Sequence, residues 1–384
     1  DINCGVRSMV IGVTKERIEL NGERVAEELF NSVPAGVGST VTLKLSVSEI
    51  DMMLEEGAPF SLKKGYGVEE DLEYIEENGR VGGADPAAVS PRAKDRQLRQ
   101  IGTLGSGNHY LEVQYVDEIY DDEAASAFGL IPDGVIVSIH TGSRALGHQI
   151  GTDYQSVLRK ASQKYGIPVP ENELIAAPIQ SPEGREYIGA VRAGINCAFA
   201  NRQAISGLVR DAFKRLFGLK DDDIRTLYEV GHNNLKMETH ETDGGRRNLL
   251  VHRKGATRAF AAGREEVPER YRGVGQPVLV GGTMGTSSFI LVGTEKGMVE
   301  TFGSAVHGAG RVKSRKQALR EYRGDDVIED LAGSGILIRT RSRKGAAEEA
   351  PGAYKDVERV VSIMEGAGVN RRVARLRPMI CIKG

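Results

Sequence analysis

The sequence predicts a mixed α/β fold of the α+β type, one large domain over residues 1–384 with central β-sheets surrounded by helices. Three observations lead there. Short apolar or alternating runs of strand length recur between longer stretches with helical spacing. Glycine, at 48 residues, falls in small punctuating groups and not in low-complexity tracts, which reads as many tight turns. Neither a repeat at solenoid periods nor a Pro- or Ser-rich linker divides the chain, so a single unit is the simpler reading. A Rossmann or P-loop architecture is not predicted: G-x-G-x-x-G after a strand and G-x-x-x-x-G-K-[ST] are both missing, as is the K-x-D-G of lysine-nucleophile nucleotidyl ligases.

Taken in chain order, "SVSEIDMMLEEG" opens on Ser46 with Glu49 at capping-box spacing and closes on Gly57, which predicts a helix. "HYLEVQYV" (109–116) alternates as a strand should, and "GVIVSIH" (134–140) reads as a buried strand. Residues 185–218 place Ile188, Val191, Ile195, Ala198 and Phe199 at helical spacing, predicting one or two packed helices. "PVLVGG" (277–282) and "SSFILVG" (287–293) are further strands, and "YKDVERVVSIMEGAG" (354–368) fits a helix. Between them "GTLGSGNH", "HTGSRALGHQ", "GGTMGTSS" and "GSAVHGAGR" read as loops of small residues. Such loops leave backbone N–H groups free to point into a cavity, as phosphate cradles do.

Composition narrows the class. The three cysteines, Cys4, Cys197 and Cys381, are an odd number spread over the whole length, which argues against a disulfide framework and for a reducing, cytoplasmic setting. No run approaches a membrane span, and the first residues lack the charged and apolar regions of a signal peptide. Net charge is −2 but uneven: residues 241–384 carry 26 Lys and Arg against 17 Asp and Glu, and residues 1–240 carry 25 against 36. "RVKSRKQALREYR" (311–323), "RTRSRK" (339–344) and "RRVARLR" (371–377) are compatible with phosphate-backbone contacts, although a solvated helix face is the ordinary reading of any one of them.

The seven histidines carry the chemistry. His109 follows a Gly-Ser-Gly turn, His140 ends a strand, His232 follows a strand-like run and His307 lies in a glycine loop. Strand ends feeding loops are where sites are built. Singly, each is a hydrogen-bonded structural residue by default; as a group, Asp1, Cys4, His109, His140 and His232 could make two metal sites bridged by the thiolate. Ligand softness alone favours zinc. In "SAVHGAGR", the imidazole of His307 could attack a phosphorus, with the flanking glycines admitting a triphosphate; a turn histidine solvating its own loop is the plain alternative.

The strings "DINCGVR", "GTLGSGNHYLEV", "HTGSRALGHQ", "VHRKGATRAF", "GQPVLVGGTMGTSSFIL", "GSAVHGAGR", "PGAYKDV" and "ICIKG" occur in order from the first residue to the last. Together they resemble the RtcB family of GTP-dependent RNA-splicing ligases. The resemblance implies an enzyme that joins an RNA 3′-phosphate or 2′,3′-cyclic phosphate to a 5′-hydroxyl in tRNA splicing and RNA repair, through a guanylyl-histidine intermediate, with GTP and two manganese ions. It puts the metal ligands on Asp1, Cys4, His109, His140 and His232, with Cys4 as bridge, and so replaces zinc by manganese. It puts the guanylate on His307 and the GTP pocket on Asn108, His109, Tyr110, Glu112, Asn233, Thr283, Ser288, His307, Ala309, Gly310, Arg311, Tyr354 and Lys383. Glu112 is a natural acceptor for guanine N1–H and N2–H, and Tyr354 a stacking face.

Arg144, in a small-residue loop beside His140, is the first candidate for an RNA phosphate, followed by Arg311 and the basic C-terminal segments. The resemblance further implies RNA as partner, archease as a possible accessory protein, a monomer, and a chain that lacks the family's N-terminal segment, since relatives carry "DINCG" internally. Thr283 stands where relatives commonly have Ser, keeping the hydroxyl; Ala145, Asn234 and Leu235 are smaller departures that could alter RNA fit or metal geometry. Two readings stay open beside it: a metal-dependent guanylyltransferase or phosphoesterase that joins no RNA, and a non-catalytic RNA-binding protein.

Overall fold

The computed structural model describes residues 1–36, 43, 45–171 and 173–384. The strands among them are β1 (Gly5–Thr14), β2 (Tyr110–Ile119), β3 (Gly134–Thr141), β4 (Ile224–Gly231), β5 (Asn233–Thr242), β6 (Gly245–Lys254), β7 (Ala256–Arg258), β8 (Pro277–Val280), β9 (Ser288–Gly293), β10 (Ser304–Val306), β11 (Leu337–Thr340) and β12 (Asn370–Lys383). The main sheet runs β4-β1-β3-β2-β12-β9-β8, with β11 beside β12. Among the described residues, only β11 and β12 of this sheet pair in parallel, so it is not doubly wound. Two ribbons, β5–β6 and β7–β10, stand outside it.

Alternation along the strands sorts the side chains into two cores. On β3, Val135, Val137 and Ile139 join Met9, Ile11, Leu111, Val113, Ile380 and Ile382 in one, under helix Lys15–Ser32 and the C-terminal half of helix Pro182–Phe217. Ile136 faces the other way, into a core that also takes Leu227, Val6, Val116, Leu376, Ile290 and Leu279. Those residues come from β4, β1, β2, β12, β9 and β8, so the sheet curls until its two end strands share one interior. Each such burial contributes roughly 1.5–3 kcal/mol. A third core lies among helices Val47–Glu56, Arg144–Lys164 and Pro182–Phe217, through Leu54, Leu146, Ile150, Ala193 and Cys197.

The predicted helices form for the predicted reasons. Ser46 and Glu49 close a capping box on Val47–Glu56, and Gly57 follows as its C-cap. Residues 185–217 of that stretch belong to one continuous helix, Pro182–Phe217, of 36 residues. Its N-terminus is capped by the Ser181 hydroxyl, which accepts from the Gly184 N–H, and it ends at Gly218 with φ +68°. Its length is about 54 Å at 1.5 Å per residue. Helix Val357–Gly366 begins at Asp356, whose carboxylate accepts from the Glu358 and Arg359 N–H groups. The predicted strands appear as β2, β3, β8 and β9.

Two expectations are corrected. "HTGSRALGHQ" is not all loop: from Arg144 it is helix, because Leu146, Ile150, Tyr154 and Leu158 recur every four residues and bury one face. "RRVARLR" is neither a helix face nor a free phosphate cradle but part of β12. There Arg371 pairs with Asp121 at 2.6 Å, Arg375 with Asp117 at 2.7 Å, Arg377 with Asp117 at 2.9 Å and Arg372 with Glu365 at 2.6 Å. Much of the charge separated along the sequence is thus recombined where β12 lies against β2.

Candidate active site and metal centre

The alternation that makes the inner core apolar leaves it polar at one end of the sheet. On β2, Tyr110 opposes His140 of β3, and Glu112 opposes Ser138. On β12, Lys383 and Cys381 oppose Tyr110 and Glu112. Below them the Ser138 hydroxyl donates to the side-chain Oε1 of Gln114 at 2.9 Å, and Gln114 Nε2 donates to Glu112 at 2.6 Å and to Ser288 Oγ at 3.0 Å.

The five residues expected to ligate metal converge at that end. Residues 1–4 form a tight turn, closed by the Cys4 N–H donating to the Asp1 carbonyl at 3.2 Å. Asn3 sits in it with φ +52° and no solvent exposure. Cys4 Sγ lies 3.4 Å from His109 Nε2 and 3.3 Å from His140 Nε2. His140 Nε2 lies 3.3 Å from His232 Nε2, and an Asp1 carboxylate oxygen 2.9 Å from His109 Nε2. The donors fall into two triads that share the thiol: Cys4, His140 and His232, and Asp1, Cys4 and His109, with ligand atoms of each within 4.8 Å of one another.

The outward-facing nitrogens explain the orientation. His109 Nδ1 is 3.0 Å from the Leu104 carbonyl and His140 Nδ1 is 3.0 Å from the Asn108 carbonyl. A carbonyl accepts only, so each ring carries its proton on Nδ1 and turns the Nε2 lone pair inward, as metal-binding imidazoles do. Burial holds His109 down at about 3 and places His140 and His232 well below the usual imidazole range, so all three rings are neutral. The same burial pushes the Cys4 thiol up to about 11. Neutral imidazoles, a thiol and a carboxylate at these distances fit a pair of divalent cations sharing the sulfur. His307 extends the row: its ring centroid is 4.8 Å from that of His232.

Beside the cluster opens a cavity of about 300 Å³. Of the residues expected around a nucleotide, Asn108, Tyr110, Glu112, Thr283, His307, Ala309, Gly310, Arg311, Tyr354 and Lys383 line it. His109 belongs to the cluster of candidate metal ligands instead. Asn233 also stands there, with Nδ2 donating to the Asp1 carbonyl at 3.2 Å and Oδ1 accepting from the Gly255 N–H at 3.2 Å. Ser288 is set behind the wall, its hydroxyl oxygen accepting from the Gly282 N–H at 3.1 Å. Burial raises the Glu112 carboxyl to about 8 despite the Lys383 ammonium, which donates to the Gly107 carbonyl at 3.0 Å.

Reading the sequence missed Glu349 and Gln114, and reached Arg315, which also lines the cavity, only as part of the basic segment 311–323. Glu349 is a buried carboxylate that accepts from the Tyr354 hydroxyl and from Arg311 at 3.1 Å. The Arg311 guanidinium stands 4.9 Å over the Tyr354 ring, so one stacking face is already taken. Arg311 also donates to the Glu348 and Lys313 carbonyls at 2.7 and 3.0 Å, so its donors hold the wall and do not project toward solvent. No periodic signal marks Glu349, since "AAEEAPG" reads as a solvated helix end. Arg144, half-buried with φ +57°, donates through Nε to the Thr103 hydroxyl at 3.2 Å. Its guanidinium crosses Gly105 so closely that a Cβ there would fall 2.2 Å from Nη1 and 2.8 Å from His109 Nδ1. It therefore stands at the metal cluster, not out along the surface.

Among the described residues, no helix is long and apolar enough to cross a membrane. A family model described as tRNA-splicing ligase RtcB matches residues 1–384. The curated tRNA-splicing ligase RtcB of Thermococcus kodakarensis is 50% identical over 386 residues, covering 100% of this chain and 80% of that relative. That of Methanococcus maripaludis is 47% identical over 386 residues with the same coverage. That of Pyrococcus horikoshii is 51% identical over 385 residues, and there the chain spans 44% of the relative's length.

Proposed function

The chain belongs to the tRNA-splicing ligase RtcB family, and on that premise we propose that it is an RNA ligase of tRNA splicing and RNA repair that joins 3′-phosphate or 2′,3′-cyclic phosphate ends to 5′-hydroxyl ends with GTP and manganese. The observation that carries this reading is the unbroken row of donors from Asp1 through Cys4, His109, His140 and His232 to His307, opening on a cavity of about 300 Å³. A metal cluster sharing a wall with a nucleoside-sized cavity, and a neutral imidazole between them, is what nucleotidyl transfer to histidine needs.

Asp1, Cys4 and His109 would hold one manganese ion and Cys4, His140 and His232 the other; bound there, the ions would supply positive charge to phosphate oxygens in flight. The protein's own part is binding, orientation and a nucleophile. Glu112, once ionised, accepts from guanine N1–H and N2–H, and Lys383 offsets its charge. Burial keeps His307 below the usual imidazole range, so it offers a lone pair at neutral pH. A His307 nitrogen attacks the α-phosphorus of GTP, forming an N–P bond and releasing pyrophosphate. An oxygen of the RNA 3′-phosphate then displaces His307 from that phosphorus, which leaves the RNA end carrying GMP through a P–O–P link. The 5′-hydroxyl attacks the RNA phosphorus, gives up its proton, and GMP departs as the phosphodiester closes. A cyclic end first takes up water to become the 3′-phosphate.

Incubation with α-labelled GTP and Mn²⁺ tests the reading. A covalent, acid-labile and alkali-stable adduct on the wild type, absent from His307→Ala, is the expected result. Equal labelling of His307→Ala would remove the nucleophile from the scheme, and failure to seal a cyclic-phosphate RNA to a 5′-hydroxyl RNA would remove the ligase.

A further inference from the structure

Helix Pro182–Phe217 passes beneath the metal cluster and carries, at adjacent positions, two polar side chains with no solvent exposure, Asn201 and Arg202. Arg202 Nη1 donates to the Asn3 carbonyl at 2.7 Å and to the Thr141 carbonyl at 2.8 Å. Asn3 precedes Cys4 and Thr141 follows His140. Arg202 Nε donates to Glu229 Oε1 at 2.7 Å, on β4 three residues before His232. Asn201 Nδ2 donates to the Thr103 and Gly142 carbonyls at 3.2 and 3.1 Å, while its Oδ1 accepts from the Gly102 N–H at 2.8 Å. Gly102 and Thr103 lead into Leu104, whose carbonyl orients His109. Two consecutive residues therefore grip all four segments that deliver the thiol and the three imidazoles.

A buried arginine paired with a buried glutamate is a poor source of stability, since the desolvation of both charges consumes most of the attraction. Its planar fork of donors is suited instead to fixing several backbone carbonyls in one geometry. Arg7 supplies the internal comparison. It is equally buried and pairs with the other oxygen of Glu229 at 2.5 Å, so it shares the contact with β4, but its remaining bonds go to Gln203 and Ser206, both at 2.7 Å, and to none of the backbone carbonyls beside Cys4, His109 or His140.

We propose that Asn201 and Arg202 are positioning residues for the metal centre, clamping the Cys4 turn, the His109 loop, the end of β3 and the β4 segment so that the four donors converge. This rests on the reading of the cluster as a metal site. Titration of the full chain with Co²⁺, followed by the thiolate-to-cobalt charge-transfer band and by the dissociation constant, tests it independently of ligation. Arg202→Lys and Asn201→Leu should each weaken Co²⁺ binding about 10- to 100-fold, as loss of outer-shell support does, and alter the band. Arg7→Lys should lower the melting temperature yet keep wild-type affinity and band. Wild-type Co²⁺ binding by a folded Arg202→Lys, or an equal loss in Arg7→Lys, would overturn the clamp. If Arg202→Lys does not fold, Asn201→Leu, which disturbs no charge, decides in the same way. A wild type without any charge-transfer band would overturn the metal reading itself.

Discussion

The candidate metal centre and the cavity beside it share His140 as a common wall, yet they are built on opposite plans. At the centre, every ring that can be assigned a tautomer is oriented by a backbone carbonyl, and the segments bearing the ligands are held from below by a buried helix. The cavity is walled by side chains that satisfy one another: Glu112 with Gln114, and Glu349 with both Arg311 and Tyr354. Backbone anchoring fixes a ligand set before anything binds, whereas paired side chains can exchange one partner for a ligand. The difference separates a set of donors fixed in advance from a wall whose side chains can re-pair.

The sharpest test of that division is His307→Ala, which removes the group on the border. Guanylate labelling should fall by at least about a thousandfold, as for other lost nucleophiles, while Co²⁺ affinity stays unchanged. Coupled loss of both, measured by labelling and by metal titration, would merge the two regions into one. Next in size is Cys4→Ser. Because Cys4 belongs to both triads, bound metal measured by elemental analysis should drop at both sites together. Loss of a single ion would break the bridging role.

A smaller effect is expected on the recognition side. Glu112→Gln should weaken GTP binding about 10- to 100-fold by calorimetry, the cost of one charged hydrogen-bond acceptor, without touching the metal. The carboxyl is held near 8 by burial, so wild-type GTP affinity should rise with pH up to about 8 and level off beyond it, and the variant should lose that dependence. Stability carries the opposite sign. Between an ordinary value of 4.5 and 8 the folded state holds a proton that the unfolded state has released, so this residue makes the protein less stable as pH rises, and Glu112→Gln should flatten the decline in denaturant titrations. The smallest effect belongs to the arginine ladder of β12. Asp117→Asn, removing a half-exposed partner of Arg375 and Arg377, should cost no more than about 1 kcal/mol of unfolding free energy.

What was legible in the sequence follows the same division. The five candidate ligands and His307 stood out because a thiol, a carboxylate and imidazoles at strand ends and in glycine turns have few other reasons to be there, and the structure brings them together. The capping box at Ser46 and the long helix were legible because caps and helical spacing are local. Asn201 and Arg202 were not, because a polar pair inside a helix reads as its solvated face, and only the packing of four other segments reveals that the face is buried. The arginines of β12 misled for the mirror-image reason: their partners Asp117 and Asp121 lie some 250 positions earlier and meet them only through strand pairing. Hairpin β5–β6 passed unnoticed although Asp243-Gly244 marks its turn, a signal that was present and unread.

The pairing order of the main sheet has a consequence for how such a protein comes into being. Strand β1 lies between β3 and β4, with Gly5 set against Thr141 on one side and Gly231 on the other. A chain emerging from the ribosome carries out Cys4 before any of the three histidines of the cluster, and more than two hundred further residues follow it before His232 appears. Closing loops of that length before any strand contact rewards them makes assembly of the sheet slow. During that interval Cys4 is an exposed, unpartnered sulfur, so oxidants and stray soft metals have their best access to this residue during synthesis rather than in the finished fold, where it is buried.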